Sequence, residues 1–228
     1  MHKYCIVSVT DYFKNKIKQK NFIHITNKKD LNLKKINTIN PHIIFVPHWH
    51  WKINKEIFDK YITIIFHSTP LPFGRGGSPI QNMILKGFSK TKICAIEAKD
   101  EMDSGNIFLK KSLSLEGSAN EIYIRMYSII LDMIKSLTRR KLPKATAQKG
   151  KIVLFNRRNE KESYVDFSSF KIDKIYDYIR MLDLDYKKFP KAFTRLGRYK
   201  LIFSKVKKNN NNKSLECRLK IELTQKTI

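Results

Sequence analysis

Apolar residues along this chain recur at two periods, and the alternation between the periods outlines a fold. Short β-branched and aromatic runs have the length and composition of buried strands: Tyr4 to Thr10, Phe22 to Thr26, His42 to Val46, Ile62 to His67 and Lys92 to Ala98. Between them, the lysine-rich segment ending at Lys20 and the segment Glu56 to Tyr61 read as helices, and Lys34 to Asn40 reads only as polar. Ser78 and Pro79 supply an N-cap and first helical position ahead of Ile80, Met83 and Ile84, and Gly87 supplies the stop. Asn106 to Leu115 alternates as a further strand. Ser118 and Glu121 stand at capping-box spacing before Ile122, Met126, Ile129, Ile130, Met133 and Ile134, predicting a long amphipathic helix to about Arg140. Strands alternating with helices in this way predict an α/β fold with a doubly wound, mostly parallel sheet.

Pro143 and Gly150 mark residues 141–150 as a linker between a domain over 1–140 and a small α+β appendage over 151–228. In the appendage Lys151 to Phe155 reads as a strand, and Ile172, Ile175, Ile179 and Leu182 describe a helix. Arg198 to Val206 and Leu215 to Leu223 flank the run Asn209 to Asn212 as a hairpin. Leu215, Cys217, Leu219, Ile221 and Leu223 fall at every second position, which predicts a half-buried antiparallel strand. Its free edge leaves a homodimer open.

Charge complicates the picture. A formal charge of +26 on 228 residues ordinarily points to anionic partners. The lysines are scattered, however, without the interleaved aromatics of a base-stacking platform, and abundant Lys, Asn and Ile fit an AT-rich genome. Cys5, Cys94 and Cys217 are too few and too distant for a zinc knuckle or disulfide framework, which fits a reducing cytosol. His48 and His50 form a close pair with no Cys, Asp or Glu beside them, so no metal is expected. Met1 to Phe13 lacks the apolar core of a signal peptide, and no apolar run approaches the ~20 residues of a membrane helix. A soluble cytoplasmic protein without a membrane partner is expected.

Candidate chemistry gathers at the break after Ile62 to Phe66, where a strand gives way to prolines and glycines with His67 at the junction. A second turn, Asp100-Glu101-Met102-Asp103-Ser104-Gly105, places a carboxylate after another apolar run, where it would orient the imidazole and stabilise its protonated form. Trp49 and Trp51 flank His50 just beyond Pro47; the two indoles either wall a planar ligand or plug the core. The first strand-to-helix turn, Asp11-Tyr12-Phe13, has no glycine, which argues against a phosphate cradle and a dinucleotide enzyme.

His67, Leu71-Pro72, Arg75-Gly76 and Pro79-Ile80-Gln81, followed by Met102-Asp103-Ser104-Gly105, resemble in order and separation the signature of the folate-dependent formyltransferases. The wording of residues 67–82 is similar to the branch that formylates nucleotide-linked amino sugars, and Asn156-Arg157-Arg158 and residues 175–180 look like its tail. The resemblance implies a formyl group carried from N10-formyltetrahydrofolate to the amine of a nucleotide-linked deoxyamino sugar, with no metal and no nucleic-acid partner. It implies His67, Asp103 and Asn82 as catalytic residues, with Pro47, Trp49, His50, Trp51, Asp100 and Met102 around the folate. It implies Arg75, Gly76, Gly77 and Ser78 for the substrate, Arg75 either contacting a diphosphate or bracing its loop. The family usually carries an asparagine two residues before the histidine as an oxyanion donor; Ile65 stands there in this chain. Two alternatives remain: formylation of methionyl-tRNA, set second because that relative resembles an enzyme with a longer C-terminal domain, and a non-catalytic nucleic-acid-binding protein.

Overall fold

A computed structural model describes residues 2–139, 141–185, 190–209 and 213–224. Six strands form one sheet in the order β2 (Phe22–Ile25), β1 (Tyr4–Ser8), β3 (Ile43–His48), β4 (Thr63–His67), β6 (Lys90–Glu97) and β7 (Ile107–Ser114). The first four are parallel, and β6 and β7 run antiparallel, so the sheet is mostly parallel, as its apolar runs imply. Alternate residues of each strand feed opposite faces. Ile6, Phe45, Ile64, Ile93 and Ala95 pack beneath α4 (Pro79–Leu85) and α5 (Ala119–Arg139), together with Phe13 of α1 (Tyr12–Lys16). Cys5, Val7, Ile44 and Val46 pack on the other face with Ile36 of α2 (Leu33–Ile39) and Ile57 of α3 (Lys55–Lys60).

The segment read only as polar is α2. Asn32 accepts a hydrogen bond from the Lys35 N–H, and Asn40 closes the helix in the left-handed region at φ 48°. At α5 the capping box forms: the Ser118 N–H donates to Glu121 Oε2 at 2.7 Å, and these Ser118 hydrogen bonds hold the Glu121 carboxyl below its usual range. The helix is described to Arg139; Arg140 lies outside the described residues, as do Asn210 to Asn212 of the asparagine loop.

Two strands absent from the sequence reading shape the C-terminal third. β5 (Phe73–Gly76) forms within the glycine loop and pairs in parallel with β8 (Val153–Phe155); β9 (Phe193–Leu196) edges a sheet with β10 (Tyr199–Lys208) and β11 (Leu215–Leu223). Phe155, Phe203 and residues Ile179, Met181 and Leu182 of α6 (Ile172–Leu182) join the same core cluster as α5. Segment 141–150 lies along the large sheet, where Thr146 exchanges backbone hydrogen bonds with Ile107. β11 is antiparallel but not half-buried: Leu219, Ile221 and Leu223 are 46%, 60% and 64% exposed. The reason is coverage, because α6 packs on β10 and does not extend over β11.

Candidate active site

The site forms where β4 ends, and the route by which its carboxylate arrives differs from two parallel strand ends meeting. β6 is antiparallel to β4, pairing Ile64 with Glu97 and His67 with Cys94, so the end of β6 lies beside the start of β4. The chain then turns back over residues 98–106 to carry Asp103 to His67. Gly105 permits the return, since a Cβ there would stand 1.9 Å from the Glu97 carbonyl oxygen.

His67 is 7% exposed, with Nδ1 3.3 Å from Asp103 Oδ2 and Nε2 2.8 Å from the Gly74 carbonyl oxygen. Asp103, in the left-handed region at φ 53°, is fixed by the Gly76 N–H, which donates to Oδ2 at 2.9 Å. Gly76 itself, at φ 109°, lies so close to β8 that a Cβ would approach the Phe155 carbonyl oxygen to 2.3 Å. One carboxylate therefore ties the imidazole, the glycine loop and the return loop together.

The residues read as substrate-binding are engaged with protein partners, and for Arg75 the contacts are those of the bracing alternative. The Arg75 guanidinium is buried, donating to Gln148 Oε1 from Nε and Nη2 and to Glu101 Oε1 from Nη1 at 2.9 Å; it braces the loop. Gln148 in turn donates to the carbonyls of Asp103 and Gly105. The Gly77 N–H donates to the Phe155 carbonyl, and Ser78 Oγ accepts from the Arg158 N–H. Asn82, read as an amide for the reaction, donates instead to the carbonyls of Gly77 and Asn156, stapling α4 to the loop. Ile65 packs with Leu71, Cys94, Ile96 and Ile107.

The loop after β3 splits its side chains. Ile6 pairs with Phe45 but Ser8 with His48, so β3 carries one extra residue at the Val46-Pro47 step. This bulge turns His48 toward α5, where its Nδ1 lies 2.6 Å from the Tyr127 hydroxyl. His50 stands against His48 at 4.9 Å between ring centres and Trp49 against Trp51 at 4.8 Å, and the His50 and Trp51 rings meet at 5.9 Å, so the two pairs adjoin. The Trp49 indole N–H is buried without an acceptor. Asp100 is exposed and ion-paired with Lys52, and Met102 is 68% exposed, both at the tip of the return loop. Sequence reasoning missed Gln148, Glu101, Tyr127 and the structural role of β8; only the glutamine inside an apparent linker offered a signal. Among the described residues no cluster of His, Cys, Asp or Glu could hold a metal ion, and no helix is long and apolar enough to cross a membrane.

A mixed six-stranded α/β sheet, with His67 heading a glycine-rich loop and Asp103 brought to it by the return loop, fits the formyltransferase class. The family model for the C-terminal domain of methionyl-tRNA formyltransferase matches residues 160–222. A solved methionyl-tRNA formyltransferase from Clostridium thermocellum is 40% identical, with a TM-score of 0.90 over 98% of this chain and 100% of that one. The chain therefore belongs to the methionyl-tRNA formyltransferase-like family of formyltransferases. The methionyl-tRNA formyltransferase of Sulfurihydrogenibium sp. (strain YO3AOP1) is 28% identical over 201 residues, 82% of this chain and 62% of that protein. The chain thus spans less than two thirds of the length of that curated relative. WlaRD, a sugar 3N-formyltransferase solved in the presence of dTDP and 5-N-formyl-THF, shares the fold at 16% identity and a TM-score of 0.61, over 89% of this chain and 93% of that one. These findings overturn the nucleotide-sugar acceptor and the expectation of no nucleic-acid partner. The tail that looked too short matches the C-terminal domain model.

Proposed function

We propose that this chain transfers a formyl group from N10-formyltetrahydrofolate to the α-amine of methionine esterified to tRNA. The observation that carries the reading is the buried His67–Asp103 pair, locked by Gly76, in a chain 40% identical to a methionyl-tRNA formyltransferase along that protein's whole solved length. The residues fit a folate: the unpaired Trp49 N–H is a donor that a polar heterocycle would satisfy, and the Trp51 ring stands beside it. Bound there, the folate supplies the formyl group.

The amine attacks only when unprotonated, and His67 is placed to hold the proton. In this geometry the Gly74 carbonyl accepts from Nε2–H; to act as base the ring must leave that carbonyl and hold its single proton on Nδ1 facing Asp103, so that Nε2 takes the proton of the amine. Asp103 then faces an imidazolium across a largely buried contact and balances its charge. The basic sheet of β9, β10 and β11, inside the matched C-terminal domain, is the surface proposed for the tRNA backbone.

The test is incubation of the protein with N10-formyltetrahydrofolate and methionyl-tRNA, scored for formyl-methionyl-tRNA. Product from wild type, and a loss of about 10²- to 10⁴-fold in His67→Asn, are expected. A wild type that makes no product, or a His67→Asn variant at full activity, overturns the assignment.

A further inference from the structure

A reaction between two bulky substrates needs contacts for each near the base, and the loop after β3 carries two aromatic pairs. Trp49 packs against the cluster beneath α2 and α3 and pairs with Trp51. His48 packs on Tyr123 and Tyr127 and pairs with His50, whose ring adjoins Trp51 at 5.9 Å. The in-register pairs from Ile44–Thr63 to Val46–Ile65 bring His48 and His67 to the carboxyl ends of adjacent strands, which run about 5 Å apart. His48 also pairs with Ser8 of β1. The β1–β3 gap is where chain connections diverge to the two halves of the sheet, the position at which open α/β sheets take ligands.

His48 is held in place against Tyr123 and Tyr127. Nδ1 lies 2.6 Å from the Tyr127 hydroxyl, and in the tautomer in which the phenol donates, the neutral ring carries its proton on Nε2. Nε2 makes no hydrogen bond with the described residues and is not among the atoms sealed from solvent. Burial, and secondarily the neighbouring His50, lower its pKa to about 4, so the ring is an uncharged donor that does not repel a nearby amine. The adjoining turn Asp11-Tyr12-Phe13 offers no glycine cradle for a phosphate, and the uncharged imidazole is a partner for a neutral carbonyl.

We propose that His48, oriented by Tyr127, binds the acceptor by donating from Nε2–H to the carbonyl oxygen of the aminoacyl ester, beside the amine that His67 deprotonates. The inference rests on the methionyl-tRNA reading above. Steady-state kinetics with methionyl-tRNA varied, and separately with N10-formyltetrahydrofolate varied, test it. His48→Ala is expected to raise the KM for methionyl-tRNA about tenfold or more while leaving the folate KM within twofold. Tyr127→Phe, which frees the ring, is expected to raise the same KM by about threefold. His48→Gln, which keeps an N–H donor, is expected to recover part of the loss, and it carries the test together with Tyr127→Phe should His48→Ala not fold. An unchanged acceptor KM in these variants, or a rise confined to the folate KM, overturns this inference alone. A wild type inactive on methionyl-tRNA overturns it together with the reading on which it rests.

Discussion

Asp103 does its work from a backbone conformation that few residues tolerate, and this permits a clean substitution. At φ 53° asparagine is accepted almost as readily as aspartate, so Asp103→Asn removes the charge facing His67 and leaves an oxygen for the Gly76 N–H. Formyl transfer is expected to fall by about a thousandfold with little change in thermal midpoint; a parallel loss of activity and folding would mean the carboxylate is structural. His48 supplies a residue-scale prediction in pH. Its pKa falls from the usual 6.5 to about 4 on folding, chiefly through burial, so between those values the unfolded chain binds more protons. The neutral ring's contribution is complete above pH 6.5 and is lost as pH falls toward 4, in total roughly 3 kcal/mol. Urea unfolding of wild type and His48→Gln across pH 4–7 checks this: the variant's stability curve is expected to be flatter over that window.

The elements most legible in the sequence were those whose periodicity and caps agree, as in α5 with its Ser118–Glu121 box and β4 with its β-branched run. β5 was harder because it is not a strand by composition, whereas β8 lies within the strand read over Lys151 to Phe155. β5 reads Phe-Gly-Arg-Gly, and it is a strand because β8, some 80 residues later, offers it a partner. His67 and Asp103 were legible from their motifs, but the return over residues 98–106 was not, because strand direction is a tertiary choice that local propensity does not encode. The loop's glycines make the dependence measurable. Gly76→Ala sets a Cβ 2.3 Å from the Phe155 carbonyl oxygen at φ 109°, with an expected cost of roughly 3 kcal/mol. Gly87→Ala, at φ 80° with nothing within 4 Å, is expected to cost only about 1 kcal/mol. Denaturant midpoints of the two variants compare contact with strain directly.

At the scale of the whole molecule, charge was the feature most easily discounted. The lysines are scattered in sequence, yet the β9-β10-β11 sheet gathers Arg195, Arg198, Lys207 and Arg218, with Lys200 and Lys220 ion-paired to Glu160 and Glu222, within the stretch that matches a C-terminal domain of methionyl-tRNA formyltransferase. Scatter along a chain is no argument against a patch when antiparallel pairing places residues 20 or more positions apart side by side. If this sheet meets a tRNA backbone, binding releases counterions, and affinity is expected to fall by about 10³-fold or more between 50 and 200 mM salt for six or more phosphate contacts. Arg218→Glu, on the exposed strand β11, is expected to weaken binding and lower the logarithmic salt slope by about one, while leaving the KM for N10-formyltetrahydrofolate unchanged. A slope unaffected by that substitution would place the tRNA elsewhere on the surface. The net charge of +26 would then act only as a diffuse field that speeds encounter without fixing orientation.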